Sequence, residues 1–225
     1  MINNFDLENI NLSTEYRIAS YLGDQDSYRF LQTIEGELKI SDDMGNCIKT
    51  IGKLIGKKLL LSEAINYNLD IESIFDNESH TFEIGELIYN FADQDWSENI
   101  RDKYDDQIQE NNLLILSRIE ILPEYQKQGI GKKWIKDFYL NFIQGCGLMV
   151  LKVFPLQYES NHTLGRDKNW CDEMGYEKMN KNEDSFESLL QFYLKVGFEV
   201  FPDISKKYVF INPILRNKKF EKIEF

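Results

Sequence analysis

The stretch Gln126-Lys127-Gln128-Gly129-Ile130-Gly131 is where residue type and spacing in this chain could do chemistry. It lies between a strand-forming run and a run with helical spacing, so its glycines let consecutive backbone N–H groups converge on an anion. The dipole of the following helix adds to that attraction. Lys127, Lys132 and Lys133 make this the most basic spot in a chain of net charge -12, and a phosphate group is the guest they imply. Neither common nucleotide fingerprint fits. A GxGxxG motif would need glycine at Trp134, and GxxxxGK followed by Ser or Thr would need a hydroxyl residue where Lys133 stands.

Other reactive side chains are sparse. Tyr193 carries a phenol with an ordinary pKa of about 10, suited to protonating a basic leaving group, although an aromatic residue on a helix also packs. His162 and His80 read as surface histidines. Cys171 has no histidine near it in the sequence to activate it. The 3 cysteines, Cys47, Cys146 and Cys171, are odd in number and form no CxxC pair, which argues against a disulfide framework and a structural zinc site. They read as reduced thiols, and no metal is expected.

The elements around these residues must come from a chain of 225 residues with 42% hydrophobic and 13% aromatic content, enough for a real core. A single domain, 1–225, is expected. No apolar run approaches the roughly 20 residues of a membrane-spanning helix. The start, Met1-Ile2-Asn3-Asn4-Phe5-Asp6, lacks the regions of a signal peptide, so a cytoplasmic protein is expected. The charge of -12 would be repelled by nucleic acid and by anionic lipid, and favours cationic partners.

Alternation predicts strands at 16–22, 28–34 and 37–40, and a strand or hairpin at 47–65 in which Gly52 and Gly56 mark a turn, a bulge or a close backbone approach. Helical spacing follows at 69–75 and 82–89. The polar segment 93–110 reads as a surface helix and loop with nothing to anchor a core. Leu113 to Ile121 reads as a buried central strand stopped at Pro123, followed by the glycine loop. Trp134, Ile135, Phe138, Tyr139 and Phe142 then recur at helical spacing up to Gly145, and 147–154 is another buried strand. Strand, loop, helix, strand in that order makes a parallel crossover. A polar excursion spans 156–184, and its Trp170 and Tyr176 either line a pocket or pin the segment down. A helix at 185–196, strands at 198–201 and 208–211 and a solvated basic tail complete the chain.

Gln126-x-x-Gly129-x-Gly131 after a central strand, with Leu122-Pro123-Glu124-Tyr125 before it, resembles the signature of the GNAT superfamily of N-acyltransferases. Gln191-Phe192-Tyr193-Leu194-Lys195-Val196-Gly197-Phe198 is similar to that family's tyrosine-bearing helix. The likeness is specific over 113–154 and 185–210 and only topological before 112. It implies a mixed α/β, GNAT-like fold with extra N-terminal strands and a long insertion before the last helix. Residues 1–111 would form the N-terminal sheet and helices, and 112–225 the acyl-coenzyme A-binding half. The resemblance further implies acetyl-CoA as cosubstrate, its pantetheine lying along Ile119, Glu120 and Ile121 between splayed strands. Its pyrophosphate would rest on Gln126, Lys127, Gln128, Gly129, Ile130, Gly131 and Lys132. A primary amine of a small molecule, peptide or protein would attack the thioester directly, with Tyr193 as the acid. Many relatives carry a glutamate where this chain has Ser117 and an asparagine near Phe186. Strict alternation would direct Glu120 away from the face of Ser117, Ile119 and Ile121, leaving water or a residue of the excursion as base. The alternative is a noncatalytic acyl-CoA-binding sensor or interaction module.

Overall fold

The computed structural model describes residues 11–21, 26–159, 167–179, 181 and 184–225. Strands β1 (Asn11–Ala19), β2 (Leu31–Ser41) and β3 (Cys47–Leu59) lead into helices α1 (Leu61–Asn66), α2 (Ile71–Phe75) and α3 (Ser79–Ile88). A short ribbon, β4 (Tyr89–Asn90) and β5 (Asp95–Trp96), precedes α4 (Glu98–Lys103). The second half contains β6 (Asn112–Ile121), α5 (Ile130–Phe142), β7 (Cys146–Lys152) and α6 (Lys168–Met174), then α7 (Asp184–Val196), β8 (Glu199–Phe201), β9 (Ser205–Ile211) and α8 (Lys218–Glu221).

The architecture is mixed α/β. A 7-stranded sheet runs β1-β2-β3-β6-β7-β9-β8, with β6 and β7 parallel and the other neighbours antiparallel. Helix α5, crossing from β6 to β7, buries Trp134, Ile135 and Phe138 on one face of the sheet with Tyr193 and Val196 of α7. Helices α1 to α4 cover the other face through Leu61, Ile74, Ile84 and Ile100, packed on Leu113, Ile115 and Phe210. No helix among the described residues is long and apolar enough to cross a membrane.

Glycine lets α5 sit this close. A Cβ on Gly52 would lie 2.6 Å from Trp134 Cζ3, and one on Gly56 would lie 2.3 Å from Phe138 Cζ. The long strand β3 is therefore not turned at its glycines but pressed against α5 at both, with a register shift at Ile55/Gly56 where it meets β6.

Several expectations are corrected by tertiary contacts. Of the strands expected at 28–34 and 37–40, residues from Leu31 on form one strand, β2, because the Tyr16 ring covers Gly36 and steadies it through the expected break, while Tyr28–Phe30 belongs to a 3-10 turn. Residues 61–65, expected to extend the preceding strand, are helical: Leu61 and Ala64 are buried, and Asn112 Oδ1 accepts the Ser62 N–H at 2.8 Å. The segment 93–110 does anchor a core, since Trp96, Ile100 and Tyr104 are buried at 2%, 0% and 2% exposure. The basic tail also docks, its Phe220 ring 4.6 Å from that of Tyr139.

Overpacking one of these contacts should be measurable. Gly56→Ala is expected to cost about 1–3 kcal/mol in urea unfolding, and adding Phe138→Leu should recover part of that loss, because the new methyl group needs the space the ring fills.

Candidate functional site

Strands β6 and β7 pair only over Asn112–Leu116 and Cys146–Leu151. Beyond Leu116, β6 stays with β3 as far as Ile121, while β7 stays with β9, and Val153 N–H donates to Lys207 O at 2.7 Å. The parallel pair therefore splays apart at its carboxyl end. Ser117 sits at the parting as the extra residue of a bulge, since Gly56 faces Leu116 and Ile55 faces Arg118. The strict alternation expected through Ser117 is broken there, and its buried Oγ has no partner among the described residues.

The register fixes which backbone groups the gap receives. Leu122 N–H donates to Ile51 O at 2.9 Å, so alternation directs Glu120 and Arg118 toward β3 and the backbone of Ile119 and Ile121 toward the gap. A cleft of about 1150 Å³ occupies this space. It runs from the glycine loop past Ile119, Ile121 and Tyr193 to Ser117, Lys152 and His80 on the helix-α3 side of the sheet.

The loop at one mouth is preset for an anion. Lys127 and Gly129 hold φ of 62° and 82°, the left-handed region, and Gly129 is the N-cap of α5 with no side-chain cap. Gln126 Nε2 donates to Ile121 O at 2.7 Å and Gln128 Nε2 to Glu124 O at 2.9 Å, bracing the turn from below. Among the described residues the N–H groups of Lys127, Gln128, Gly129, Ile130 and Gly131 have no acceptor, and Lys127, Lys132 and Lys133 form no ion pair. Orphan amides at a helix start beside unpaired ammonium groups are what an anionic ligand would complete.

Most expected site residues meet at this cleft. Ile119, Glu120, Ile121, Gln126, Lys127, Gly129, Gly131, Lys132 and Tyr193 line it, whereas the Ile130 side chain belongs to the core and that of Gln128 to the loop brace. The Tyr193 hydroxyl has no partner among the described residues, and burial pushes its pKa well above the ordinary phenol range. The phenol stays protonated at neutral pH. His162 lies outside the described residues.

Glu120 does a different job. Only 4% exposed, it accepts the Trp170 indole N–H at 2.9 Å and the Tyr176 hydroxyl, and it pairs with Arg118 at 2.7 Å. Arg118 also reaches Glu159 at 2.5 Å, and the Lys53 ammonium stands 4.8 Å from the centre of the Trp170 ring. Trp170 and Tyr176 thus pin the excursion to β6, and Tyr176 lines the cleft as well. The excursion carries helix α6, where Asp167 caps by accepting the Asn169 N–H.

Sequence reading missed the place of His80. It occupies the first turn of α3 and lines the cleft, with Nε2 buried and without a partner among the described residues. Burial and the nearby Lys152 ammonium lower its pKa from the ordinary 6.5, so the ring is neutral. Nothing in the local pattern around His80 reveals this, because the gap it faces opens between strands far along the chain. Among the described residues no group of three or more His, Cys, Asp or Glu side chains is placed to hold a metal ion.

Removing the brace carboxylate should loosen the excursion rather than the sheet. Glu120→Ala is expected to cost about 3 kcal/mol, as loss of one member of a buried ion pair does, and to expose 156–179 to limited proteolysis before the rest of the chain. No family model, curated protein or solved structure matches this chain.

Proposed function

We propose that this protein is a GNAT-like N-acyltransferase that moves an acyl group, acetyl in the simplest case, from acyl-coenzyme A to a primary amine. The observation that carries this reading is the parting of β6 from β7 beside a loop of unsatisfied amides. A pantetheine arm could pair with the backbone of Ile119 and Ile121 as an added strand, while the pyrophosphate takes the N–H groups at the start of α5. Lys127 and Lys132, lining the same mouth, would neutralise phosphate charge. Neither contact requires the sheet to move.

The chemistry would be direct. The amine lone pair forms the C–N bond at the thioester carbonyl, the C–S bond breaks, and the electron pair leaves on sulfur. Tyr193 lines the cleft with its hydroxyl unpartnered and protonated, as an acid for the departing thiolate must be. The chain's acidity, -12 overall, would raise the local concentration of a cationic amine.

Isothermal titration with acetyl-CoA, with coenzyme A and NADH as comparators, tests the reading. Saturable binding of the two coenzyme A species and none of NADH is expected. Gly129→Glu should abolish it, because the new carboxylate enters the anion site and the residue must hold a φ of 82°. Retained binding in that variant would remove the loop from the site. Tyr193→Phe should bind acetyl-CoA normally and lose about 100-fold in turnover with an amine acceptor. Binding without turnover in the unaltered protein would instead identify a coenzyme A-binding sensor.

A further inference from the structure

The acyltransferase reading leaves the amine's proton without a recipient, since Ser117 stands at the bulge and Glu120 is consumed by Arg118, Trp170 and Tyr176. The cleft, however, continues past Ser117 to the other face of the sheet. There it is lined by His80, Lys152 and Phe154.

We propose that His80 is the general base of the acceptor half of the cleft, taking a proton from the acceptor ammonium so that the free amine can attack. The proposal rests on the acyltransferase reading and supplies the group that reading lacks. His80 is held from behind: the neighbouring Thr81 hydroxyl donates to Phe75 O at 2.6 Å, and Ile84 and Ile88 are buried in the helical layer. Nε2 is buried without a partner among the described residues, and the residue lines the cleft. A buried polar nitrogen without a partner calls for an explanation, and a ligand in the cleft that His80 lines would supply one.

Burial first, and then the Lys152 and Lys57 ammonium groups, favours the neutral ring, with Glu83 and Glu78 acting the other way. Four charged groups face it: Glu78 and Glu83 from α3 and its N-cap, Lys57 from β3, and Lys152 from β7. Both carboxylates are shared with lysines, Glu78 with Lys57 and Glu83 with Lys152 at 2.5 Å, which weakens their pull on an imidazolium. The positive end of the α3 dipole acts in the same sense. Protonation would also place a charged N–H at the dry Nε2 position.

The proton balance closes. The acceptor ammonium gives one proton to His80, which later releases it to solvent. The resulting amine bonds to the acyl carbon, and the thiolate takes the Tyr193 proton. Tyr193 then regains a proton from the nitrogen as the amide forms, giving one amide, one thiol and one released proton.

Three measurements on the full chain separate this proposal from the reading beneath it. Acetyl-CoA titration comes first: failure of the unaltered protein to bind overturns the acyltransferase reading. Given binding, diethyl pyrocarbonate is applied at neutral pH and the modified peptides are identified by mass spectrometry, the chain having only 2 histidines. His80 should be carbethoxylated in the folded protein and protected by acetyl-CoA. An unmodified His80 overturns the base assignment whatever acceptor is found. Turnover with spermidine as the cationic amine then gives the role. His80→Gln should keep acetyl-CoA affinity and lose about 100-fold in kcat. The unaltered protein should lose kcat on the acid side below pH 6.5, because only the neutral ring accepts a proton and its pKa is lowered from that value, and the variant should lack this limb. Equal kcat in the variant would also overturn the proposal.

Discussion

The structure depends on the separation of two parallel strands that share hydrogen bonds for half their length and then part. Backbone N–H and C=O groups in the middle of a sheet are normally paired, and leaving them open to a cleft needs structural compensation. Here β6 keeps its β3 partner through Ile121 and β7 keeps β9, so each parted strand retains a full ladder on its outer side. The bulge at Ser117 turns β6, and Pro155, two residues beyond Val153, lacks the N–H that could extend the β7–β9 ladder. The gap is thus a stable product of pairing on both flanks rather than a packing defect.

Holding the gap open also requires rigid walls. On one face, Gly52 and Gly56 let α5 settle onto β3, and this contact sets where the α5 N-terminus, and with it the glycine loop, meets the end of β6. At the end of β6, the buried carboxylate of Glu120 gathers Arg118, Trp170 and Tyr176. A buried charge is costly unless it is paired and hydrogen-bonded, and this one has both an ion partner and neutral donors. Its value is positional: it ties a polar excursion, with little core of its own, to the strand bordering the cleft.

The half of the chain from Asn112 onward was legible because its elements carry their own signals. The apolar run Leu113–Leu116, the glycine loop, the α5 stripe of Trp134, Ile135 and Phe138, and the Tyr193 helix are each set by local periodicity; the end of that run, the loop and Tyr193 line one cleft, while the α5 stripe packs into the core. The remainder was less legible because distant residues decide it. Gly36 reads as a break until the Tyr16 ring covers it, and Leu61 to Ile65 reads as strand until Asn112 caps the helix. The segment around Trp96, Ile100 and Tyr104 spaces its apolar residues widely among acids, so its burial follows only from the sheet face above it. His80 belongs to this second class, since a single histidine in an amphipathic turn becomes part of a site only when strands some forty residues later diverge in front of it.

Burial raises a question about Tyr193, for a phenol pushed above its ordinary range is a weaker acid and would seem poorly matched to a thiolate. The comparison must be made in the same surroundings. Leaving water disfavours every anion, and burial pushes the Cys146 thiol of this chain up to about 11 just as it raises the Tyr193 phenol. A coenzyme thiolate released in the cleft would be disfavoured in the same way, so phenol and thiol would move in the same direction. Tyr193 is protonated at neutral pH in either case, and with its hydroxyl committed to no described residue it would be available to donate to a negative charge developing beside it.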